Sequence, residues 1–410
     1  MRMNRRIWMT ALVPVAALGM VAGSLSQAKS DAVPGVTSTE IVLGGTHPYS
    51  GPASAYGIIG KGIAAYFQYI NDQGGVNGRK ITYKDLDDGY SPPQALQLTK
   101  QLVESDHVFA MFNSLGTPVN TALRPYLNDQ KVPQLFVATG ATKWGADASK
   151  YPWTIGWQPD YQAEAVVFGK DIIKNNPNAK IGVLYQNDDF GTDYIAGLQK
   201  GLGAKAGQII KTASYEVTDP DVRSQIATLK GSGADTILIA ATPKFATQAL
   251  AAIGGLSWKV TTYLTDVSSQ QTVMHAATAA GGAAATNGVI SAGYTLDPTN
   301  TSQANLPGMK LYREIAAKYA PSSDASNASL LYGMGVAYTM VDILKAAGKD
   351  ITREKVMAAA EHISEKNPFL YSGVDVTTSP SDRFPIREEY LMKYDNGLWN
   401  PAGTVIDARR

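Results

Sequence analysis

Asn113, Ser114, Gly116 and Thr117 form a short uncharged junction between an apolar run and a helical pattern that begins at Pro118. Such a junction can hold a nucleotide phosphate, carry a catalytic serine, or bind the carboxylate of a small ligand. The start of a helix attracts an anion because its first N–H groups are unpaired and carry a partial positive charge. Hydroxyls add hydrogen bonds without the cost of burying a charged side chain. At a single junction, capping of the helix by Ser114 or Thr117 is an equally good interpretation.

A second junction, ATGAT (138–142), repeats this chemistry after the next predicted strand, with hydroxyls at Thr139 and Thr142. Two adjacent junctions of this composition favour ligand binding over capping. In the second half of the chain, Asp188 and Asp266 each follow a predicted strand. A carboxylate at such a position can pair with a ligand ammonium or cap the next helix, and the residues alone leave both roles open. Four aromatic residues beside the junctions can line an apolar ligand or belong to the core: Tyr49, Tyr56, Trp157 and Phe190.

Catalytic and metal chemistry find little support in the sequence. No Gly-x-Ser-x-Gly segment surrounds Ser114, so the strained turn of a hydrolase nucleophile is not predicted. The glycine spacing of GIIGKG (57–62) does not match a phosphate-binding loop. The 4 histidines have no partner at metal-ligand spacing, and the absence of cysteine excludes disulfides, thiol catalysis and cysteine-bound metal. We therefore expect no enzyme activity, no cofactor and no resident metal.

The segments that position these junctions alternate between strand and helix patterns. The first series runs from strand EIVLGG (40–45) to strand PQLFVA (133–138), and a second series starts after a break near residue 155. Repeated strand–helix–strand units imply parallel sheets with helices on both faces, so we expect an α/β fold of two doubly wound parallel-sheet lobes. Open parallel sheets bind ligands beyond the carboxyl ends of their strands, where the junctions lie. EEYLMKYDNG (388–397) is predicted to be the last edge strand of a sheet.

The N-terminus has the pattern of a secretory signal peptide. Residues 1–28 combine three arginines, an uncharged apolar segment and small residues around a cleavage point after Ala28. A retained membrane anchor is the alternative, disfavoured because Pro14 and several glycines interrupt the apolar segment. No cysteine is available for lipid attachment, so we expect a periplasmic monomer without a lipid anchor. The near balance of 36 Lys+Arg and 35 Asp+Glu argues against a nucleic-acid partner.

Several motifs, in order, resemble a known family: YSGPASAYG, NDQGGVNGRKI, DDGYSPPQA, NSLGTP, ATGAT and VLYQNDDFGTDYIAGL. Together they are similar to the type I periplasmic solute-binding proteins, in particular the leucine/isoleucine/valine-binding branch that serves ABC importers. The resemblance implies two lobes joined by a hinge of three strands, which close on a ligand. It implies a first lobe of residues 36–156 plus 294–370, and a second lobe of residues 157–293 plus 371–410.

The resemblance also implies roles for particular residues. Ser114 and Thr142 would bind the ligand carboxylate with backbone groups of Gly140 nearby, next to the Gly116 and Thr117 helix start. Tyr56 would lie against the ligand, Phe190 occupies a position where amino-acid binders often have tyrosine, and Asp266 would take the α-amino group. The family's disulfide near the first binding loop cannot form, since Asn113 stands where a cysteine would.

The expected function is that of a periplasmic substrate-binding protein that captures a small amino acid of the branched-chain type and delivers it to an ABC permease. The alternative ligand is an aromatic or aliphatic carboxylate that lacks an amine. Two rivals come from other classes. A receptor domain of a signalling system would carry a transmembrane helix after the domain, and an exported hydrolase would need a nucleophile with a base.

Overall fold

The computed structural model describes residues 33–407, so the predicted signal peptide lies outside the described residues. The strands, in chain order, are β1 (Glu40–His47), β2 (Lys80–Asp87), β3 (Ala110–Phe112), β4 (Gln134–Val137), β5 (Thr154–Gly156), β6 (Ile181–Gln186), β7 (Ile209–Tyr215), β8 (Thr236–Ala240), β9 (Thr261–Leu264), β10 (Ile290–Gly293), β11 (Ser364–Glu365), β12 (Val376–Thr377), β13 (Glu388–Asp395) and β14 (Leu398–Asp407).

The helices are α1 (Ile58–Asp72), α2 (Pro92–Lys100), α3 (Thr117–Asp129), α4 (Lys143–Ala146), α5 (Tyr161–Asn175), α6 (Asp189–Leu202), α7 (Arg223–Gly231), α8 (Pro243–Gly255), α9 (Gln271–Gly281), α10 (Pro307–Tyr319), α11 (Ala328–Ala346) and α12 (Arg353–Ala360). None of the helices between residues 33 and 407 combines the length and apolar character needed to cross a bilayer.

The first sheet has five parallel strands in the order β2-β1-β3-β4-β5. Helix α1 presents Ile59, Ile63 and Phe67 to the core of this lobe, at the helical spacing visible in the sequence. It crosses α11 closely at paired glycines. A Cβ atom on Gly62 would lie 2.2 Å from the carbonyl oxygen of Leu330, so the two backbones can approach only where a side chain is missing.

The second sheet has seven strands in the order β14-β13-β10-β9-β8-β6-β7. Its strands β6 to β10 are parallel, whereas β13 and β14 are antiparallel to their neighbours. The prediction of two parallel-sheet α/β lobes is therefore confirmed, with an antiparallel pair added to the second. The prediction that residues 388–397 form the last edge strand is wrong, because β14 pairs outside β13. A tight turn at Asn396 and Gly397, both with positive φ, reverses the chain between them.

The chain passes between the two sheets three times. The first passage follows β5 at Trp157, the second follows β10 at Tyr294, and the third precedes β13. The second and third passages are joined by hydrogen bonds, since the Tyr371 N–H donates to the Tyr294 carbonyl over 2.9 Å and the Leu296 N–H donates to the Phe369 carbonyl over 2.9 Å. The exact lobe boundaries given above remain predictions.

Candidate ligand-binding site

A cavity of about 140 Å³ lies where the carboxyl ends of the two sets of parallel strands face each other. Eight aromatic side chains contribute to its wall: Tyr56, Tyr90, Tyr161, Phe190, Tyr294, Tyr332, Tyr371 and Trp399. Its charged lining residues, within residues 33–407, are the carboxylates Asp266 and Asp297, and no lysine or arginine contributes. The cavity therefore suits a ligand that is mostly apolar and carries a positive group.

The first lobe contributes the start of α3 to the cavity. Gly116 and Thr117 line the wall, and no side chain in the described part of the chain caps this helix. Gly116 has φ 102°, and a Cβ atom there would come within 2.4 Å of the Tyr90 ring, so glycine is required at this turn. The Thr117 and Thr139 hydroxyls lie 2.5 Å apart in a hydrogen bond. The helix start thus offers uncapped N–H groups and a hydroxyl to an anionic ligand group.

One hydrogen bond crosses the cavity directly. The Tyr56 hydroxyl, on the first lobe, donates to the Val267 carbonyl on the second lobe over 2.9 Å. Tyr56 is buried, and burial raises the pKa of its hydroxyl well above the usual value, so the group is a neutral donor. Both residues line the cavity, so this bond holds the lobes together beside the ligand space.

The structure brings five of the eight predicted ligand residues to the cavity wall: Tyr56, Gly116, Thr117, Phe190 and Asp266. Phe190 packs edge-on against Tyr161, with ring centroids 5.0 Å apart. Contact between these five residues and a ligand remains a prediction.

The other three predicted residues, Ser114, Gly140 and Thr142, lie beside the cavity without lining it. The Ser114 hydroxyl accepts from the Thr46 N–H over 3.2 Å, and the Gly140 carbonyl accepts from the Tyr161 N–H over 2.8 Å. The Thr142 hydroxyl donates to Asp160 over 2.5 Å. These hydrogen bonds give the three residues a structural role in holding neighbouring segments in place. Their roles in ligand binding remain predictions.

The two aspartates that end strands of the second lobe have different surroundings. Asp188 caps α6, since its carboxylate accepts from the N–H groups of Phe190 and Gly191. Asp266 faces the cavity, and its Oδ1 atom finds no donor among the described residues. Burial raises the pKa of the Asp266 carboxyl to about 6. The cap interpretation is therefore confirmed for Asp188, whereas Asp266 is the carboxylate available to a ligand.

Two further carboxylates lie behind Asp266. Glu164 on α5 and Glu389 on β13 place ligand-type oxygens within 4.8 Å of one another and of Asp266. At an effective dielectric constant of about 20, two ionised carboxylates at 4.8 Å repel each other by roughly 3 kcal/mol. Burial first, and then the Asp266 charge, raise the pKa of both glutamates well above the usual range. We call these three residues the acidic cluster.

Both glutamates and most of the aromatic wall lie at positions that the strand ends in the sequence do not indicate. Glu164 lies within a helical pattern and Glu389 within a strand pattern, and neither follows a strand. Tyr294 and Tyr332 come from a crossing segment and from α11. These residues are brought to the site by the tertiary structure and not by a local sequence pattern.

Comparison with known proteins identifies the fold and the family. A family model described as "Periplasmic binding protein" matches residues 40–398. The chain belongs to this family. A relative from Brucella abortus (strain 2308), described as "Leu/Ile/Val-binding protein homolog 7", is 24% identical over 227 residues, which cover 53% of this chain and 56% of the relative. The match thus spans about half of the relative's length.

Solved structures share the fold across nearly the whole chain. One is a branched-chain amino acid ABC transporter protein from Thermus thermophilus with bound valine, at TM-score 0.80 and 17% identity, covering 90% of this chain and 97% of that one. Another is an ABC transporter solute-binding protein from R. palustris in complex with benzoate, at TM-score 0.75 and 19% identity, covering 89% of this chain and 96% of that one. The family and these neighbours are solute-binding proteins, so the expectation that the chain is not an enzyme is confirmed.

Proposed function

We propose that the protein is the periplasmic receptor of an ABC importer, which captures a small amino acid with an apolar side chain and delivers it to the membrane permease. One observation carries the proposal. An uncapped helix start at Thr117 and a carboxylate at Asp266 belong to opposite walls of an aromatic cavity that contains no basic side chain among the described residues. A zwitterion with an apolar side chain is complementary to this site, because its carboxylate suits the helix start, its ammonium suits Asp266 and its side chain suits the aromatic wall.

In this proposal the ligand carboxylate meets the α3 helix start. Gly116 shapes this turn while its own N–H donates to the Ala138 carbonyl over 3.2 Å. Thr117 supplies its N–H group and its hydroxyl, and the partial positive charge of the helix offsets the ligand charge. The ammonium group pairs with Asp266. Tyr56 and Phe190 lie along the side chain, and branched aliphatic groups such as those of leucine or valine gain from contact with such rings.

Ser114, Gly140 and Thr142 act mainly by holding this geometry. Ser114 fixes the end of β1 through the Thr46 N–H. Thr142 contacts the second lobe, because its N–H donates to Asp193 on α6 over 2.9 Å and its hydroxyl donates to Asp160. Thr142 therefore stabilises the closed form of the receptor. A ligand that bridges the two lobes shifts the population toward that form.

A second candidate ligand is an aromatic or aliphatic carboxylate that lacks an amine. It is favoured by the number of rings in the wall and by Phe190, which offers no hydroxyl to an amino acid. The fold neighbour with bound benzoate shows that this fold accommodates such a ligand in another protein. The acidic pair Asp266 and Asp297 argues against it, because neither offers a charge of opposite sign to a carboxylate.

The deciding experiment is a thermal-shift panel of the purified protein against the common amino acids and matched acids without the amine. L-leucine and 4-methylpentanoate form the sharpest pair, because they differ only in the ammonium group. A ligand that binds the folded state raises the melting temperature by mass action. A shift with leucine alone supports the amino-acid receptor. A shift with 4-methylpentanoate or benzoate alone supports the second candidate, and no shift with any member contradicts both.

The compartment and partners belong to the same proposal. Family membership implies a periplasmic location. We propose export through a cleavable signal peptide over residues 1–28, no lipid anchor, a monomeric receptor and a membrane permease as the protein partner. N-terminal sequencing of the exported protein tests the cleavage after Ala28, and copurification with the permease in detergent tests the partner.

A further inference from the structure

The acidic cluster of Glu164, Asp266 and Glu389 brings together three separate parts of the second lobe. Glu164 belongs to α5, Asp266 follows β9, and Glu389 belongs to β13, next to the crossing segment at Tyr294. One oxygen from each residue lies within 4.8 Å of the other two. Because each carboxylate is carried by a different packed element, the three oxygens are held in place by the fold rather than by a flexible loop.

No opposite charge neutralises this cluster within residues 33–407. None of the ion pairs found there involves its three carboxylates. Glu164 is the best satisfied member, since it accepts from the Tyr194 hydroxyl over 2.6 Å and from the Asp266 N–H over 2.9 Å. Oxygen atoms that already accept such hydrogen bonds are held in a fixed orientation toward the other two residues.

Glu389 gives an observation that is independent of the proximity of the three residues. Its side chain is 1% exposed, and neither of its carboxylate oxygens has a hydrogen-bond partner among the described residues. A buried carboxylate without any donor is costly unless a proton or a cation is bound to it. One Glu389 oxygen lies within 4.8 Å of oxygens of Glu164 and Asp266, so a cation that compensates Glu389 can contact all three residues.

We propose that Glu164, Asp266 and Glu389 form a binding site for one hard divalent cation of the Ca²⁺ class, behind the wall of the ligand cavity. The donor set is entirely oxygen, which such ions prefer over softer metals. Ca²⁺–oxygen distances of about 2.3–2.6 Å put oxygens on opposite sides of the ion roughly 5 Å apart, so the 4.8 Å spread fits one coordination sphere.

The ion would reach the site through the cleft. Asp266 belongs both to the cavity wall and to the acidic cluster, whereas Glu164 and Glu389 do not line the cavity. Waters in the cavity can complete the coordination number of six to eight that Ca²⁺ takes. The site therefore loads most easily while the lobes are apart.

Binding is tested by calorimetric titration of the EDTA-treated protein with CaCl₂, MnCl₂ and MgCl₂ up to about 5 mM, a range that covers weak extracellular calcium sites. We expect saturable binding of one Ca²⁺ per chain and a higher melting temperature with the ion. Glu389→Gln should weaken the apparent affinity by at least about tenfold, since one charged ligand is lost. Glu314→Gln, which changes an exposed glutamate on α10, should leave it unchanged.

A second measurement needs no variant. Tb³⁺ substitutes for Ca²⁺, and its luminescence is sensitised by a nearby aromatic ring, which Tyr194 provides through its hydrogen bond to Glu164. Luminescence excited through tyrosine and displaced by CaCl₂ supports the site. The proposal is overturned if the folded protein shows neither calorimetric binding nor displaceable luminescence, which would mean that shared protons neutralise the cluster. Leucine binding measured in EDTA tests the receptor function separately, so the two proposals can fail independently.

Discussion

Replacement of Tyr56 by phenylalanine should weaken ligand binding without unfolding the protein. The Tyr56 hydroxyl donates to the Val267 carbonyl across the cavity, and the change deletes this bond while the ring remains. A buried hydrogen bond of this kind contributes about 1 kcal/mol net. In the open form both groups meet water, so the loss falls on the closed form alone. A loss of ~1 kcal/mol corresponds to about fivefold weaker affinity.

The assay is calorimetric titration with L-leucine, accompanied by urea denaturation of the same variant. Tyr312→Phe is the matched control, because the Tyr312 hydroxyl also donates to a backbone carbonyl, that of Ala325, over 2.9 Å but within the first lobe. We expect the control to lower the free energy of unfolding by ~1 kcal/mol and to leave the leucine affinity unchanged. An unchanged affinity in Tyr56→Phe, or an equal loss in both variants, would refute the role of Tyr56 in closure.

Three further changes test other parts of the site. Asp266→Asn should abolish leucine binding and spare 4-methylpentanoate. In the unmodified protein, kept in EDTA so that no divalent cation is bound, leucine affinity measured by calorimetry between pH 5 and 8 should fall by up to about tenfold per pH unit below pH 6. Burial raises the pKa of Asp266 to about 6, and protonation removes the charge that pairs with the ammonium. Thr117→Val should weaken leucine binding by ~1 kcal/mol, measured by the same titration, and an unchanged affinity would remove this hydroxyl from the carboxylate site. Burial raises the pKa of Glu365 to about 7, so its contribution to stability is present below about pH 4.5 and is lost as the pH rises through 7. Glu365→Gln should change the difference in unfolding free energy between pH 4.5 and pH 8 by up to ~3 kcal/mol. Urea denaturation measures this difference, and unfolding free energies that vary with pH in parallel for the two proteins would contradict the prediction.

Local patterns in the sequence were sufficient to predict the layered fold. Helix α1 follows directly from Ile59, Ile63 and Phe67 at helical spacing, and the parallel sheets follow from the alternation of strands and helices. The position of the α3 start at Thr117 could also be predicted, since Pro118 suits the first turn of a helix. These features depend on residues that are close together in the sequence, so they can be predicted from a single sequence.

Strand β14 was missed although a local signal for it exists. Asn396-Gly397 is a dipeptide that favours a two-residue hairpin turn, and it connects β13 directly to β14. Residues 398–407 lack clear apolar alternation, because most of β14 is exposed at the sheet edge. The Asn396-Gly397 turn therefore predicts β14 better than the strand pattern of residues 398–407 does.

The acidic cluster could not be predicted by any local rule. Glu164 and Glu389 are far apart in sequence and each resembles an ordinary surface acid in its own segment, yet both are 1% exposed. Their proximity depends on β13 entering the second sheet beside β10 after the third passage between the lobes. Such long-range pairing requires the topology, which the periodicity of the sequence does not contain.

The three passages between the lobes also constrain the order in which the chain can fold. The core of the first lobe joins Leu43 and Ile63, near the start of the described chain, to Leu331 and Met340 on α11. Residues 95–132 form a smaller core within the first segment alone, but the larger core on the α1 side stays incomplete until α11 has been synthesised. Contacts of such wide sequence separation slow folding, because long loops must close before the contacts form. The first lobe of such a chain completes its main core only late in synthesis, because α11 belongs to the last third of the sequence.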